Sequence, residues 1–343
     1  MKKTISILIA GIVAFGCSNM DIEFDDFDYQ SIYFPYQTPV RTIILGDESI
    51  GDNTIDLEHA FSIGVSLGGA YENNKNRIVS VEYAPELGEN IKYLNDKDTL
   101  GLEVLPAAYY EAVFDQIIIP SGEFSGKMRV DLKDAFFNDP LSATTHYVIP
   151  TRITDAAEDS VLSGDPNDFV DDPDPRIDED WDIVPKDYTL FGIKYINETH
   201  GMYLLRGSRI NSSTGEEVTY SERFLVDNNM TKLSTLSLTE NVMDVVGGTF
   251  TGNFYTILLT FNKDNKTVTV SSVDASTAVV SGTGVYYTKD DSEAESFNGS
   301  KHRTIYLDYT VFSSGKDYYI KDSLVFADTD VMFEEFNVLV VDP

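Results

Sequence analysis

Tyr255-Thr256-Ile257-Leu258-Leu259-Thr260-Phe261-Asn262-Lys263-Asp264-Asn265-Lys266-Thr267-Val268-Thr269-Val270 is the stretch whose reading decides the fold class. Tyr255, Ile257, Leu259 and Phe261 recur at every second position, which is the period of a strand with one buried face. The polar run from Asn262 to Lys266 then reads as a hairpin turn leading into Val268 and Val270. The same alternation extends outward in both directions. Ile305, Leu307, Tyr309 and Val311 follow it downstream, and Phe333, Phe336, Val338 and Val340 close the chain. Upstream it returns in Phe61, Ile63, Val65 and Leu67, in Val79, Val81 and Tyr83, and in Met128, Val130 and Leu132. Aromatic residues make up 12% of the sequence, with 20 Tyr and 20 Phe, residue types that suit pleated, half-buried surfaces. No sustained helical periodicity competes with them. The expectation is an all-β protein.

The first residues bear on location. Lys2 and Lys3 precede an apolar run from Ile5 to Phe15 and then Gly16-Cys17, the layout of a secretory signal peptide. The run is too short for a permanent span, which needs about 20 apolar residues. Cys17 is the only cysteine, and Ala14-Phe15-Gly16-Cys17 resembles a bacterial lipobox, although Phe15 is larger than the usual residue there. This reading makes residues 1–16 a signal peptide, Cys17 the lipidated first residue of the mature chain, and residues 17–24 a tether. Multiple acyl chains on one cysteine hold a protein at a bilayer firmly, at ~0.8 kcal/mol per buried methylene. The stretch Ser18-Asn19-Met20-Asp21-Ile22-Glu23-Phe24-Asp25-Asp26 resembles the acidic tether that directs Bacteroidetes lipoproteins to the outer face of the outer membrane, and it also reads as a plain flexible tether.

Charge and cysteine content exclude whole classes. There are 25 basic and 57 acidic residues, a net charge of -32, so phosphate backbones are repelled and nucleic-acid binding is excluded. One cysteine allows no disulfide, and once acylated it offers no thiolate to catalysis or metal. Stability must come from buried apolar surface. Between Ala156 and Lys186 the composition turns acidic and Pro-rich, as in Asp165-Pro166-Asn167-Asp168-Phe169-Val170-Asp171-Asp172-Pro173-Asp174-Pro175. That is the composition of a linker held extended by its own charges. A calcium site is the sharper alternative, but the spacing is not that of an EF-hand loop. The boundary between two domains, 25–155 and 187–343, is expected here.

A series of short motifs in the first half carries a resemblance. Tyr33-Phe34-Pro35, Gly68-Gly69, Leu105-Pro106, Ile119-Pro120-Ser121-Gly122, Asp139-Pro140 and Ile149-Pro150-Thr151-Arg152 follow one another in an order that resembles an N-terminal domain of unknown function in Bacteroidetes glycan-utilisation lipoproteins. The resemblance implies an immunoglobulin-like β-sandwich, and the strand spacing agrees. In the second half Gly201-Met202-Tyr203-Leu204-Leu205-Arg206-Gly207 resembles the opening strand of lipocalin-like barrels and of a C-terminal domain of unknown function in related lipoproteins. A closed antiparallel β-barrel is therefore expected for residues 187–343, with a second sandwich as the alternative.

Catalytic motifs are missing. His59, His146, His200 and His302 are far apart and outside any ligand-spaced motif, so no metal centre and no cofactor is expected. No nucleophile elbow is present, and Gly282-Thr283-Gly284 lacks the rest of a dinucleotide site. A glycosidase needs only two carboxyl groups at the right separation, but among 57 acidic residues such pairs arise by chance. Binding is the class left: aromatic faces with a few polar groups suit sugar rings. Trp181, Tyr203, Tyr286, Tyr287, Tyr318 and Tyr319 are the candidate ligand-binding residues, with alternation sending one ring of each Tyr-Tyr pair inward. The expected function is that of a non-catalytic surface lipoprotein, anchored to the membrane by its lipid, that binds oligo- or polysaccharide beside an outer-membrane importer complex. A structural or adhesive lipoprotein with a protein partner is the alternative, and a glycoside hydrolase the third.

Overall fold

A computed structural model describes residues 29–49, 51–94, 99–157, 159–244, 255–313 and 315–341. Cys17, the expected signal peptide and the tether lie outside them. The protein is all-β, and the strands fall into a sandwich and a barrel.

The sandwich sets two sheets face to face. One runs Ser160–Val161, Ser31–Tyr33, Ala60–Gly68, Ser125–Leu132, Tyr110–Ala112. The other runs Glu334–Glu335, Pro39–Ile44, Tyr188–Ile196, Tyr147–Asp155, Arg77–Tyr83, Gln116–Ile119, with Glu103–Val104 beside Tyr147–Asp155. The period-two residues make the core between them: Phe61, Ile63 and Val65 from one sheet are fully buried, as are Val79, Ile149, Ile193 and Tyr195 from the other. A second apolar cluster, including Leu87, Ile91, Tyr188, Leu190 and Phe336, covers the far side of the second sheet. Ile91–Leu94 and the C-terminal strand Asn337–Val340 pair antiparallel over it.

The barrel closes on itself. Gly201–Asn211, Asn229–Thr235, Glu240–Asp244, Thr256–Asn262, Thr267–Ser272, Val279–Tyr287, Thr304–Ser313 and Lys316–Asp328 pair antiparallel in that order, and the last pairs back onto the first. Closure leaves no free edge among these strands. The hairpin read from the sequence forms with Asn262 opposite Thr267, and Lys266 takes the left-handed φ of 56° that the turn requires. Tyr255, Ile257, Leu259, Phe261, Val268, Val270, Ile305, Leu307, Tyr309 and Val311 all point into the lumen and are buried.

Three features depart from the sequence reading. Tyr188–Ile196, assigned above to the barrel domain, is a strand of the sandwich, parallel to Pro39–Ile44 and antiparallel to Tyr147–Asp155. Both of its faces are apolar, which suits a strand buried on two sides in the middle of a sheet. The tail from Glu334 also returns to the sandwich, so the barrel is an insertion between two of the sandwich's own strands. The acidic segment does not stand extended. Asp165–Pro166 pairs with Trp181–Ile183, and Arg176 donates to the Leu87 and Glu89 carbonyls at 3.0 and 2.8 Å while forking onto Asp174. Burial works against the Asp174 charge, yet the Arg176 contacts hold its carboxyl below the usual range. One guanidinium thus ties down a segment whose charges would otherwise repel.

The two bodies meet through a buried ion pair. Glu48, on a loop of the sandwich, accepts the Arg303 backbone N–H at 3.0 Å and lies 3.5 Å from the Arg303 guanidinium, both side chains being nearly inaccessible. The Arg303 guanidinium also stacks 4.5 Å from the Phe326 ring centroid.

Candidate functional site

The outer wall of the barrel carries the site. Because side chains alternate along a strand, the residues between the lumen positions must face outward. The register places them in rows across neighbouring strands. Val285, Tyr306, Ser323 and Arg206 form one row, and Thr283, Asp308, Lys321, Ser208 and Thr219 form the next. Together they line an open cleft with a volume of 710 Å³.

Arg206, Asp308 and Lys321 in its lining are each paired, whereas Glu217 lines it without an ion pair among the described residues. Glu295, on the loop that leads into Thr304–Ser313, accepts from Arg206, from the Tyr306 hydroxyl at 2.9 Å and from the Ser323 hydroxyl at 2.9 Å. Burial, with Glu295 beside it, pushes the Tyr306 phenol up to about 12. Asp308 accepts from the Tyr319 hydroxyl at 2.7 Å and sits 3.5 Å from the Lys321 ammonium, which lies 5.5 Å from the Tyr319 ring. The Tyr319 bond to Asp308 raises its phenol, and the neighbouring Tyr319 raises Lys321. Both tyrosines therefore hold their hydroxyls on carboxylates, which fixes the rings. Chemically the cleft offers aromatic surface, hydroxyls and paired charges, which suits an uncharged, hydroxyl-rich ligand. Among the described residues no three His, Cys, Asp or Glu side chains come together as a group that could hold a metal ion.

Backbone space below the wall is set by glycine. A Cβ at Gly282 would stand 2.3 Å from Tyr309 Cβ, and one at Gly207 would stand 2.4 Å from the Asp322 carboxylate. Gly207 thus makes room in the lumen for Asp322, whose oxygens take the hydroxyls of Tyr220 and Tyr309.

The six aromatic residues singled out in the sequence separate. Tyr203 is fully buried, with its hydroxyl on the Thr199 carbonyl at 2.8 Å and its ring edge-on to Phe326. Tyr286 is 4% exposed and packs edge-on to Phe261. Tyr318 packs against the lumen core beneath Arg209. Trp181 is half-buried on the acidic segment, its indole N–H on the Asp174 carbonyl at 2.9 Å, and it secures that segment. Tyr203, Tyr286 and Tyr318 are packing residues, because their positions face the lumen core, and Trp181 holds the acidic segment. Tyr287 and Tyr319 are on the outer wall, Tyr287 edge-on to Tyr306 at 6.1 Å and Tyr319 beside the cleft on Asp308. The inward-outward division within each Tyr-Tyr pair follows the alternation. Arg206, Glu295, Tyr306, Asp308, Lys321 and Ser323 were missed. The signal for Tyr306 and Asp308 was present, since they are the partners between Ile305, Leu307 and Tyr309. Glu295 gave none, because it reaches the wall from a loop.

A family model described as "-like, N-terminal domain" matches residues 27–160, and that of DUF5627, a domain of unknown function, matches residues 198–330. No curated protein matches the sequence. A structural-genomics protein of unknown function from Bacteroides ovatus is 34% identical, with a TM-score of 0.80, over 92% of this chain and 100% of that one. Two further solved structures are distant. A multidomain protein including DUF1735 from Bacteroides ovatus is 13% identical, over 88% of this chain and 97% of that one, at a TM-score of 0.43. An auxiliary nutrient binding protein from Bacteroides thetaiotaomicron is 15% identical, over 87% of this chain and 92% of that one, at 0.39. The chain belongs to the family of the Bacteroides ovatus protein of unknown function that it matches along that protein's whole length, and the DUF5627 match falls on its barrel.

Proposed function

We propose that this chain is a non-catalytic cell-surface lipoprotein, lipidated at Cys17, that captures oligo- or polysaccharide on the outer wall of its barrel. The observation that carries the reading is the 710 Å³ cleft, lined by the Tyr306 ring, by hydroxyls and by the paired Arg206, Asp308 and Lys321, with Tyr319 beside it on Asp308. A sugar ring offers a C–H face to an aromatic ring and hydroxyls to polar groups, so this chemistry suits it. The cleft crosses five strands, a width of ~19 Å at ~4.8 Å per strand step. That width suits a stretch of an extended glycan rather than one sugar. An uncharged ligand implies binding that depends little on salt. The sandwich then stands between the lipid and the cleft as a spacer, beside an outer-membrane importer.

Titration calorimetry of the chain against a broad oligosaccharide panel, beside Tyr306→Ala, tests the site. Weak binding that Tyr306→Ala diminishes is expected; equal binding by the variant, or none by either protein, removes the reading. Cys17→Ala tests the anchor, since cell fractionation should find that variant in the soluble fraction. A protein partner is the second reading, and one observation favours it. Ile78 and Ile118 oppose each other across the last two strands of a sandwich sheet, 46% and 51% exposed.

A further inference from the structure

The sandwich holds a second concavity, of 290 Å³, away from the barrel wall. Its walls include Phe34, Pro39, Val65 and Phe191. Tyr36 and Phe333 also line it, and their rings pack against each other at 4.6 Å with a tilt of 47°. They are 45% and 61% exposed, so this pair leaves apolar surface in water at the pocket. Phe333 comes from the far end of the chain, brought there because Glu334–Glu335 pairs with Pro39 and Val40.

The charge of this pocket runs against that of the protein. No carboxylate lines it, and its charged lining residues are Arg41 and Lys127, in a chain with 57 acidic and 25 basic residues. The Arg41 guanidinium is taken by Asp56. Lys127 is exposed and has no ion pair among the described residues. Its stem passes 3.6 Å from the place a Cβ on Gly64 would occupy, at the pocket wall. An apolar slot of 290 Å³, with room for one ring and a short side chain, and with a free ammonium at its rim, suits a small amphipathic anion.

We propose that this pocket binds a small molecule made of one aromatic ring bearing a carboxylate, with the ring against the packed Tyr36–Phe333 pair and the carboxylate on Lys127. It is a site separate from the glycan cleft and does not depend on it. Trans-cinnamate and its uncharged counterpart cinnamyl alcohol are the probes, titrated calorimetrically into the full chain and into Tyr36→Ala, Phe333→Ala and Lys127→Gln. All three side chains are exposed, so the variants should keep the wild-type melting temperature. Cinnamate should bind saturably and more tightly than the alcohol, and Lys127→Gln should abolish that difference. Removing either ring should weaken both probes about three- to tenfold, the value of one aromatic contact. Equal binding of the two probes by the wild type overturns the charge assignment. Absence of saturable cinnamate binding, or binding unchanged in both ring variants, overturns the pocket. A self-association seen in sedimentation and lost in Phe333→Ala, without cinnamate binding, would instead make a second copy of the chain the occupant.

Discussion

Replacing Asp322 by Asn should make this protein more stable at neutral pH, and the gain should vanish in acid. Asp322 is 5% exposed inside the barrel, and its carboxylate accepts the Tyr309 hydroxyl at 2.7 Å and that of Tyr220. Those bonds favour the charged form, but burial outweighs them and pushes the carboxyl up to about 6 from 3.8. A carboxyl whose value is higher in the folded chain than in the unfolded one binds its proton more tightly when folded. Its favourable contribution is therefore full below about 3.8, declines as pH rises through about 6, and is gone above. The gap of about two pH units, at ~1.36 kcal/mol each, is worth about 3 kcal/mol. Asn carries no titrating proton, keeps an acceptor oxygen for one tyrosine, and donates its amide to the other once that hydroxyl turns. The stability difference between Asp322→Asn and the wild type should thus grow by about 2–3 kcal/mol between pH 4 and pH 8, while every other titrating group cancels in the subtraction. Urea unfolding across that range measures it. Near-ultraviolet dichroism of the lumen tyrosines is the signal to follow, because Trp181 lies on the acidic segment outside the barrel. A difference that stays constant with pH would refute the reasoning and place Asp322 among ordinary solvated carboxylates.

Gly282→Ala should lower stability by about 1–3 kcal/mol, because the added carbon meets Tyr309 Cβ and the Asp308 carbonyl within 2.4 Å and neighbouring strands cannot part; an unchanged thermal melt would contradict this. Glu48→Ala leaves the Arg303 guanidinium buried without its partner carboxylate, so a loss of about 3 kcal/mol is expected from chemical denaturation, with a smaller loss in Glu48→Gln. Limited proteolysis should cut first beside Phe169, which is 95% exposed, yet the nicked chain should elute as one body. Tyr188–Ile196 and the tail stay in the sandwich on the far side of the cut, and fragments that separate without denaturant would count against that arrangement.

Strand faces were legible in the sequence because they are local. The alternation of Tyr255, Ile257, Leu259 and Phe261 needs no partner to be seen, and all four are buried in the lumen. The hairpin at Asn262–Lys266 was legible for the same reason, since a turn is specified by its own residues. Tyr188–Ile196 misled, because its apolar character says that both faces are buried but not in which sheet. Its neighbours, Pro39–Ile44 and Tyr147–Asp155, were selected by pairing across the intervening chain. The cleft has the same origin. Arg206, Tyr306, Asp308, Lys321 and Ser323 are ordinary polar positions on separate strands, and they become one surface only when the last barrel strand pairs with the first. Tyr36 and Phe333, near opposite ends of the chain, meet because Glu334–Glu335 pairs beside Pro39–Ile44. Periodicity records which face of a strand avoids water. The neighbours of that strand are chosen by closure and packing of the whole chain, and that choice assembles both proposed binding surfaces.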